Sequence, residues 1–370
     1  MRIGIPREIK AKEFRVGMTP SGVAELTARG HEVFVESNAG AGVGMSDSDY
    51  EAAKAVILDN AEDVFGAAEL IVKVKEPQLN ECAMLREDHT LFTYLHLAAD
   101  KPQAEALCRS KCLAIAYETV TGATGGLPLL QPMSEVAGRM SVQVGAASLL
   151  KPAGGAGILL GGVPGVAPAK VVILGGGVAG ENALQMAIGA RANVTLFERS
   201  FPRMAELDAL YGDRVNIIYS TEHALREAVK QADLVIGAVL IPGASAPKLI
   251  TREMLATMKP GSVLVDISID QGGCFETSKP TTHDDPIYII DDVVHYCVAN
   301  MPGGVPQTST YALTNATLPY ILRLAKDGVQ QTLAADAHFR CGVNVADGYI
   351  TYEAVARDLD LPFRTYEIPI

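Results

Sequence analysis

The feature that most constrains this chain is an apolar run that ends abruptly in glycine: Lys170-Val171-Val172-Ile173-Leu174, then Gly175-Gly176-Gly177-Val178-Ala179-Gly180. An unbroken run of Val, Ile and Leu suits a strand buried on both faces of a parallel sheet. Helix-forming residues follow over 181–190, and a second strand-like run, Val194–Phe197, ends in Glu198, 18 residues after Gly180. Glycine is common here, at 35 of 370 residues, so the strand before and the helix after carry the argument. Gly175 permits a tight turn, Gly177 leaves the backbone bare for a pyrophosphate, and Gly180 lets the helix lie close on its strand. The helix N-terminus then offers unpaired N–H groups to the phosphates. Glu198 is placed to accept from both hydroxyls of an adenosine ribose and to repel a 2′-phosphate, which favours NAD over NADP. Arg199 and Arg203 pull slightly the other way, because an arginine at this strand end can serve a phosphate. The competing reading is a structural glycine turn beside a surface glutamate.

A chain of this length exceeds one ordinary core, which leads to two domains. In the first 130 residues strands are expected at Arg2–Pro6, Glu32–Glu36, Leu70–Val74, Thr90–Tyr94 and Cys112–Ala116. A helix is expected over Thr19–Arg29, opened by Thr19-Pro20, since proline at the first helical position gives up no needed donor. Ser134–Leu150 reads as a long helix rich in small residues, able to bridge two domains. A Gly/Pro-rich stretch from Lys151 to Pro168 leads into the strand Lys170–Leu174. Further strands are expected at Val194–Glu198, Val215–Tyr219, Leu234–Ala238, Ser262–Ile267 and Ile287–Ile290, and a second long helix at Ser309–Lys326. The fold class is therefore α/β: two Rossmann-like, doubly wound parallel-sheet domains flanking a cleft and joined by two long helices. Residues 1–129 with 307–370 make a substrate-binding, catalytic domain, and 130–306 an NAD-binding domain. Ligands of an open α/β sheet lie beyond the carboxyl ends of its strands, so the nicotinamide is expected near Val239 and Leu240 and along Ile267, Ser268, Ile269 and Asp270.

The formal charge of −12, without any cluster of Lys and Arg, argues against a nucleic-acid partner. The opening MRIGIPREIK has no apolar core of a signal peptide. The most apolar segment, roughly residues 153–190, is broken by glycines, Pro164, Pro168, Lys170 and Glu181, and cannot supply the ~20 apolar residues of a membrane span. A cytoplasmic protein without a membrane partner is expected. Six scattered cysteines without a secretion signal read as free thiols. Cys108 and Cys112 lack a second ligand pair and would share one face of a helix, so no metal is expected.

Three polar side chains of the first domain stand where strands run out. Lys73 and Lys75, in VKVKEP, share a face if the strand continues, and Pro77 stops it so that Lys75 projects into a cleft. His96 follows the apolar run Leu91–Leu95, and Arg15 sits in the polar loop KEFRVGMTP ahead of a helix start. Each also has a plain reading: a solvated lysine, a hydrogen-bonded core histidine, a surface arginine.

Taken together, PREIKAKEFRVGMTP, VKVKEP, TYLHLA, MSEVAGRM, GGVPGV, VVILGGGVAG, DISIDQGG and VANMPGGVPQTST, in that order along almost the whole chain, closely resemble the alanine dehydrogenase family. The resemblance implies oxidative deamination of L-alanine to pyruvate and ammonia with NAD, and the reverse reaction. It implies that Arg15 and Lys75 bind substrate and that His96 and Asp270 are catalytic. It further implies a cofactor held by Ser134, Val178, Ala179, Glu198, Arg203, Ser220, Val239, Leu240, Ile267, Asn300 and Met301, with Val298 and Ala299 beside the last two. The family usually carries Asp where this chain has Glu198, one methylene longer. Some members hold a metal through a glutamate matching Glu118 and a histidine; here that region reads Leu324-Ala325-Lys326-Asp327, so the metal is not carried over. A homo-oligomer, by resemblance a hexamer, is expected. The alternatives are a nucleotide-binding component of a proton-translocating transhydrogenase and a non-catalytic NAD-binding protein.

Overall fold

The computed structural model describes residues 1–239 and 246–368. The chain divides into two compact units, Met1–Met133 with Val305–Ile370, and Ser134–Gly304. It leaves the first unit within the helix Gln131–Ser148 and re-enters it just before the helix Pro306–Asp327.

In the first unit the strands β1 (Arg2–Ile5), β2 (Glu32–Glu36), β3 (Val56–Leu58), β4 (Leu70–Val72), β5 (Thr90–Thr93) and β6 (Leu113–Ala116) lie parallel in the order β6-β5-β4-β1-β2-β3. The order reverses at β1, whose neighbours are β2 and β4. Beyond β6 the sheet is completed by Val343–Ala346, antiparallel to it, and by Tyr349–Ile350. Every residue of β4 and β5 is buried, as strands covered on both faces require. The helix Pro20–Thr27 begins where Thr19 and Pro20 place it: the Thr19 hydroxyl accepts from the Gly22 N–H at 3.3 Å, replacing a donor's missing helical partner.

The second unit repeats the scheme. Strands β7 (Lys170–Leu174), β8 (Asn193–Glu198), β9 (Asn216–Tyr219), β10 (Leu234–Gly237), β11 (Val263–Asp266), β12 (Ile287–Ile290) and β13 (Val293–Tyr296) form one sheet in the order β12-β13-β11-β10-β7-β8-β9. All neighbours are parallel except the β12–β13 hairpin, whose turn residues Asp291 and Asp292 both adopt positive φ. The order reverses between β7 and β10. Val171 to Leu174 are each at most 3% exposed, and burying each such side chain stabilises the core by roughly 1.5–3 kcal/mol.

Two local expectations are corrected. The strand expected to run to Val74 ends at Val72, and the chain bends at Val74 and Lys75, so strand alternation does not put Lys73 and Lys75 on one face. Cys108 and Cys112 do not share a helix: Lys101–Ser110 stops first, capped by Lys111 at φ 58°, and Cys112 enters β6 fully buried. All six cysteines are free thiols. Among the described residues no helix is long and apolar enough to cross a membrane.

Candidate active site

In the first unit, Arg15, Lys75 and His96 follow the carboxyl ends of β1, β4 and β5, which are adjacent strands. Arg15 is 2% exposed, and its partner is local: Nε and Nη2 donate to the two carboxylate oxygens of Glu13, each at 2.6 Å, while Nη1 lies 3.1 Å from the Met133 sulfur. Burial alone would push the Glu13 carboxyl up, but the hydrogen bonds and charge of Arg15 outweigh it and hold the group below the ordinary carboxylate range. Lys75 is half-buried and acts electrostatically on both Glu13 and Glu76.

Lys73 is wholly buried instead. Its ammonium donates to Glu8 at 3.1 Å and Glu81 at 2.7 Å. The other oxygen of Glu8 accepts from the Val74 N–H at 2.6 Å and that of Glu81 from the Gln78 N–H at 2.8 Å, which fixes the chain on either side of Lys75. Burial raises the Glu8 carboxyl despite the ammonium beside it.

His96 sits at φ 48°, in the left-handed region that non-glycine residues rarely occupy. Two contacts hold it there. Its N–H donates to Glu118 at 2.6 Å, and its ring stacks on Tyr94 at 5.8 Å with 6° between planes. Tyr94 is itself anchored through its hydroxyl to the Leu129 carbonyl at 2.6 Å. The imidazole remains about half exposed, with Nδ1 3.8 Å from Glu118. Among the described residues no group of three or more His, Cys, Asp or Glu gathers as a metal site.

The second unit places the glycine turn at the switch point of its sheet. Gly175 has φ +96°, and a Cβ there would meet the Ala238 carbonyl oxygen at 2.9 Å. A Cβ on Gly180 would lie 1.8 Å from the Gly175 oxygen, whereas one on Gly177 would touch no protein atom within 4 Å. Packing therefore demands glycine at 175 and 180 but not at 177, where the space a Cβ would fill suits an approaching pyrophosphate. The helix Val178–Gly189 starts at Gly177 without a side-chain cap, leaving first-turn N–H groups for phosphate oxygens; Val178 is exposed and Ala179 half-buried.

Glu198 at the end of β8 folds over this turn. One oxygen accepts from the Gly176 N–H at 2.7 Å, the other from the N–H groups of Arg199 at 2.7 Å and Ser200 at 2.9 Å. Arg203 donates to the Gly176 carbonyl at 2.7 Å and pairs with Glu181 and Glu206. Ser220 is buried beyond β9, its N–H donating to the Glu198 carbonyl at 2.9 Å. Val239 accepts from the Ser268 hydroxyl at 2.7 Å; Leu240 lies outside the described residues. Asp266, buried at the end of β11, accepts from the N–H groups of Ser268 at 3.0 Å and Cys274 at 2.9 Å and from the Ser278 hydroxyl. It thereby ties both ends of the loop that carries Ile267, Ile269 and the exposed Asp270. The Asp270 carboxylate accepts from the Asn300 N–H at 3.3 and 3.4 Å, and Asn300 has φ 56°. Val298 and Met301, on either side of it, are buried, Ala299 is half-buried, and Ser134 is half-buried in the helix Gln131–Ser148.

Sequence reading missed Glu13, Met133 and Asp266. Only Glu13 left a trace, an acid two residues from Arg15 in a loop that must bury a guanidinium.

An uncapped glycine turn at a switch point, in a chain whose other unit gathers guanidinium, ammonium and imidazole at neighbouring strand ends, marks a dinucleotide-dependent oxidoreductase. Family models sharpen this: the alanine dehydrogenase/PNT N-terminal domain matches residues 4–137 and the C-terminal domain residues 141–353. A protein of Halomonas elongata named alanine dehydrogenase is 60% identical over 98% of both chains, and one of Mycobacterium tuberculosis 52% over 98% of both. A solved L-alanine dehydrogenase superposes with a TM-score of 0.94 at 49% identity, covering 97% of this chain and 99% of its own. A transhydrogenase from Sinorhizobium meliloti shares the fold, with a TM-score of 0.82 at 23% identity. The chain belongs to the alanine dehydrogenase/PNT family, an oxidoreductase using a nicotinamide dinucleotide.

The turn yields a sharp prediction. Gly180→Ala should weaken NADH binding at least about tenfold, a 1.4 kcal/mol effect, because its Cβ drives the helix off a fixed carbonyl. Gly189→Ala, on the same helix but facing open space, should bind NADH normally. Fluorescence titration with NADH decides, and normal binding by Gly180→Ala would refute the packing argument.

Proposed function

We propose that this chain catalyses the reversible NAD-dependent oxidative deamination of L-alanine to pyruvate and ammonia, acting in the cytoplasm as a homo-oligomer, a hexamer by family resemblance. The observation that carries the reading is Arg15, Lys75 and His96 on adjacent strand ends in a chain more than half identical to relatives named alanine dehydrogenase. The first unit takes the substrate and the second the cofactor. Alanine has little surface, so its carboxylate must orient it, a task suited to a guanidinium and an ammonium. When bound, NAD supplies the hydride acceptor. His96 takes the proton of the water that adds to the resulting iminium and returns one to the departing ammonia. Asp270 offsets the iminium charge and orients water. Lys75 polarises the keto oxygen in the amination direction.

NAD is favoured over NADP by Glu198, whose carboxylate faces the turn. Arg203 supports this, being occupied by Glu181 and Glu206 and so poorly placed to serve a 2′-phosphate.

Adding L-alanine and NAD should produce NADH absorbance. Serine, glycine and 2-aminobutyrate should react more slowly, since one methylene is worth about 1–3 kcal/mol. No absorbance change with NAD binding intact would instead favour a non-catalytic NAD-binding protein.

A further inference from the structure

Two charged side chains meet Gly176 in the glycine turn: its N–H donates to Glu198 at 2.7 Å, and its carbonyl accepts from Arg203 Nε at 2.7 Å. A guanidinium therefore stands beside the carboxylate expected to read the adenosine ribose, and an arginine near that point is what accommodates a 2′-phosphate in NADP sites. Here the guanidinium is held back. Nη2 pairs with Glu181 and Nη1 with Glu206 at 2.7 Å, so all three nitrogens are engaged. The two acids are unequal partners. Glu206 is 58% exposed and pairs within one helix at i,i+3, where water screens the contact. Glu181 is 21% exposed and is itself braced. Its other oxygen accepts from the Tyr211 hydroxyl at 2.8 Å, and that hydroxyl accepts from Gln185 Nε2 at 3.0 Å.

We propose that Glu181 is a specificity-determining residue for the cofactor: by clamping Arg203 it withholds the guanidinium at Gly176 from a 2′-phosphate. The inference rests on the proposed use of NAD and on Glu198 reading the ribose. NAD is then selected twice, by a carboxylate that repels the phosphate and by a cation kept from serving it. Discrimination of this kind works against the wrong ligand rather than for the right one. An amide at position 181 removes the charge that holds Arg203. The bond to the Gly176 carbonyl keeps the released guanidinium at the turn, where its planar fork suits phosphate oxygens.

The test is fluorescence titration of the full-length protein with NADH and with NADPH. The parent should bind NADH the more tightly. Glu181→Gln should bind NADPH at least about tenfold more tightly than the parent does, a gain that damage to the turn would not produce. Raising the salt concentration should shrink that gain. Adding Arg203→Gln to Glu181→Gln should abolish it, since the cycle isolates the contribution that passes through the guanidinium. An unmoved NADPH affinity in Glu181→Gln, or a gain that survives the loss of Arg203, overturns the proposal. Should Glu181→Gln not fold, Glu181→Ala releases the same guanidinium at a helix position that alanine suits, and the same outcomes decide. A parent that binds NADPH as tightly as NADH refutes the NAD preference and this inference with it. A parent that prefers NADH, with NADPH affinity unmoved in the variants, sinks the inference alone.

Discussion

Replacing His96 with alanine is expected to cut turnover of L-alanine by roughly 10²- to 10⁴-fold, the usual worth of a positioned acid–base group, while NADH still binds. Glu118 holds the backbone N–H and Tyr94 stacks on the ring at a left-handed backbone position, while the imidazole stays about half exposed, the arrangement of a ring that must exchange protons with substrate and water. Alanine at φ 48° also carries backbone strain, so a control is needed. Asparagine adopts that conformation readily and cannot transfer protons in the same way; His96→Asn should be as inactive as His96→Ala but melt closer to the parent. Steady-state kinetics with NADH titration separates the cases. Activity within about tenfold of the parent in His96→Asn would remove His96 from proton transfer.

Lys73→Ala should destabilise the protein by about 3–5 kcal/mol, because it strands two buried carboxylates around an empty space. The sign of the pH dependence follows from proton counting. Without the ammonium nothing offsets the burial that already raises the Glu8 carboxyl, so Glu8 must hold in the folded state a proton that the unfolded chain releases, and the variant should lose stability as pH rises from about 5 to 8. Glu8→Gln, by contrast, leaves the Lys73–Glu81 pair intact and an amide oxygen for the Val74 N–H, and should cost no more than about 1.5 kcal/mol. Urea unfolding at both ends of the pH range tests this; a Lys73→Ala variant within about 1 kcal/mol of the parent at pH 8 would show that water or rearrangement reaches the triad.

Much of the fold was legible because strands buried on both faces have few ways to be written. Lys170–Leu174 was read to the residue on that ground; the partly exposed Glu32–Glu36 and Ile287–Ile290 were read to the residue from their Val, Phe, Ile and Tyr content, which favours strands. The strands missed are short or exposed, such as Val56–Leu58, or joined by unconventional turns: Asp291-Asp292 closes the β12–β13 hairpin where asparagine–glycine would have announced it. Val343–Ala346 and Tyr349–Ile350 flank Asp347-Gly348, a stronger hairpin signal that went unread. The candidate site was legible in part, since strand ends locate Arg15 and His96 but say nothing of what grips them. The error over Lys73 and Lys75 is instructive: a strand that stops two residues early turns neighbours on one face into a buried pillar and a half-buried reagent.

The late return of the chain to the first unit has a consequence for its birth. On the ribosome, β6 emerges with most of the chain still to come, and its outer edge waits for Val343–Ala346 to cover it. A bare strand edge is a template for pairing with other chains, and nascent domains are most vulnerable while such edges stand open. The inserted unit, contiguous in sequence, can close its own sheet first. A message truncated before residue 343 would therefore yield a chain with one finished sheet and one adhesive edge, prone to aggregate rather than to persist as half an enzyme.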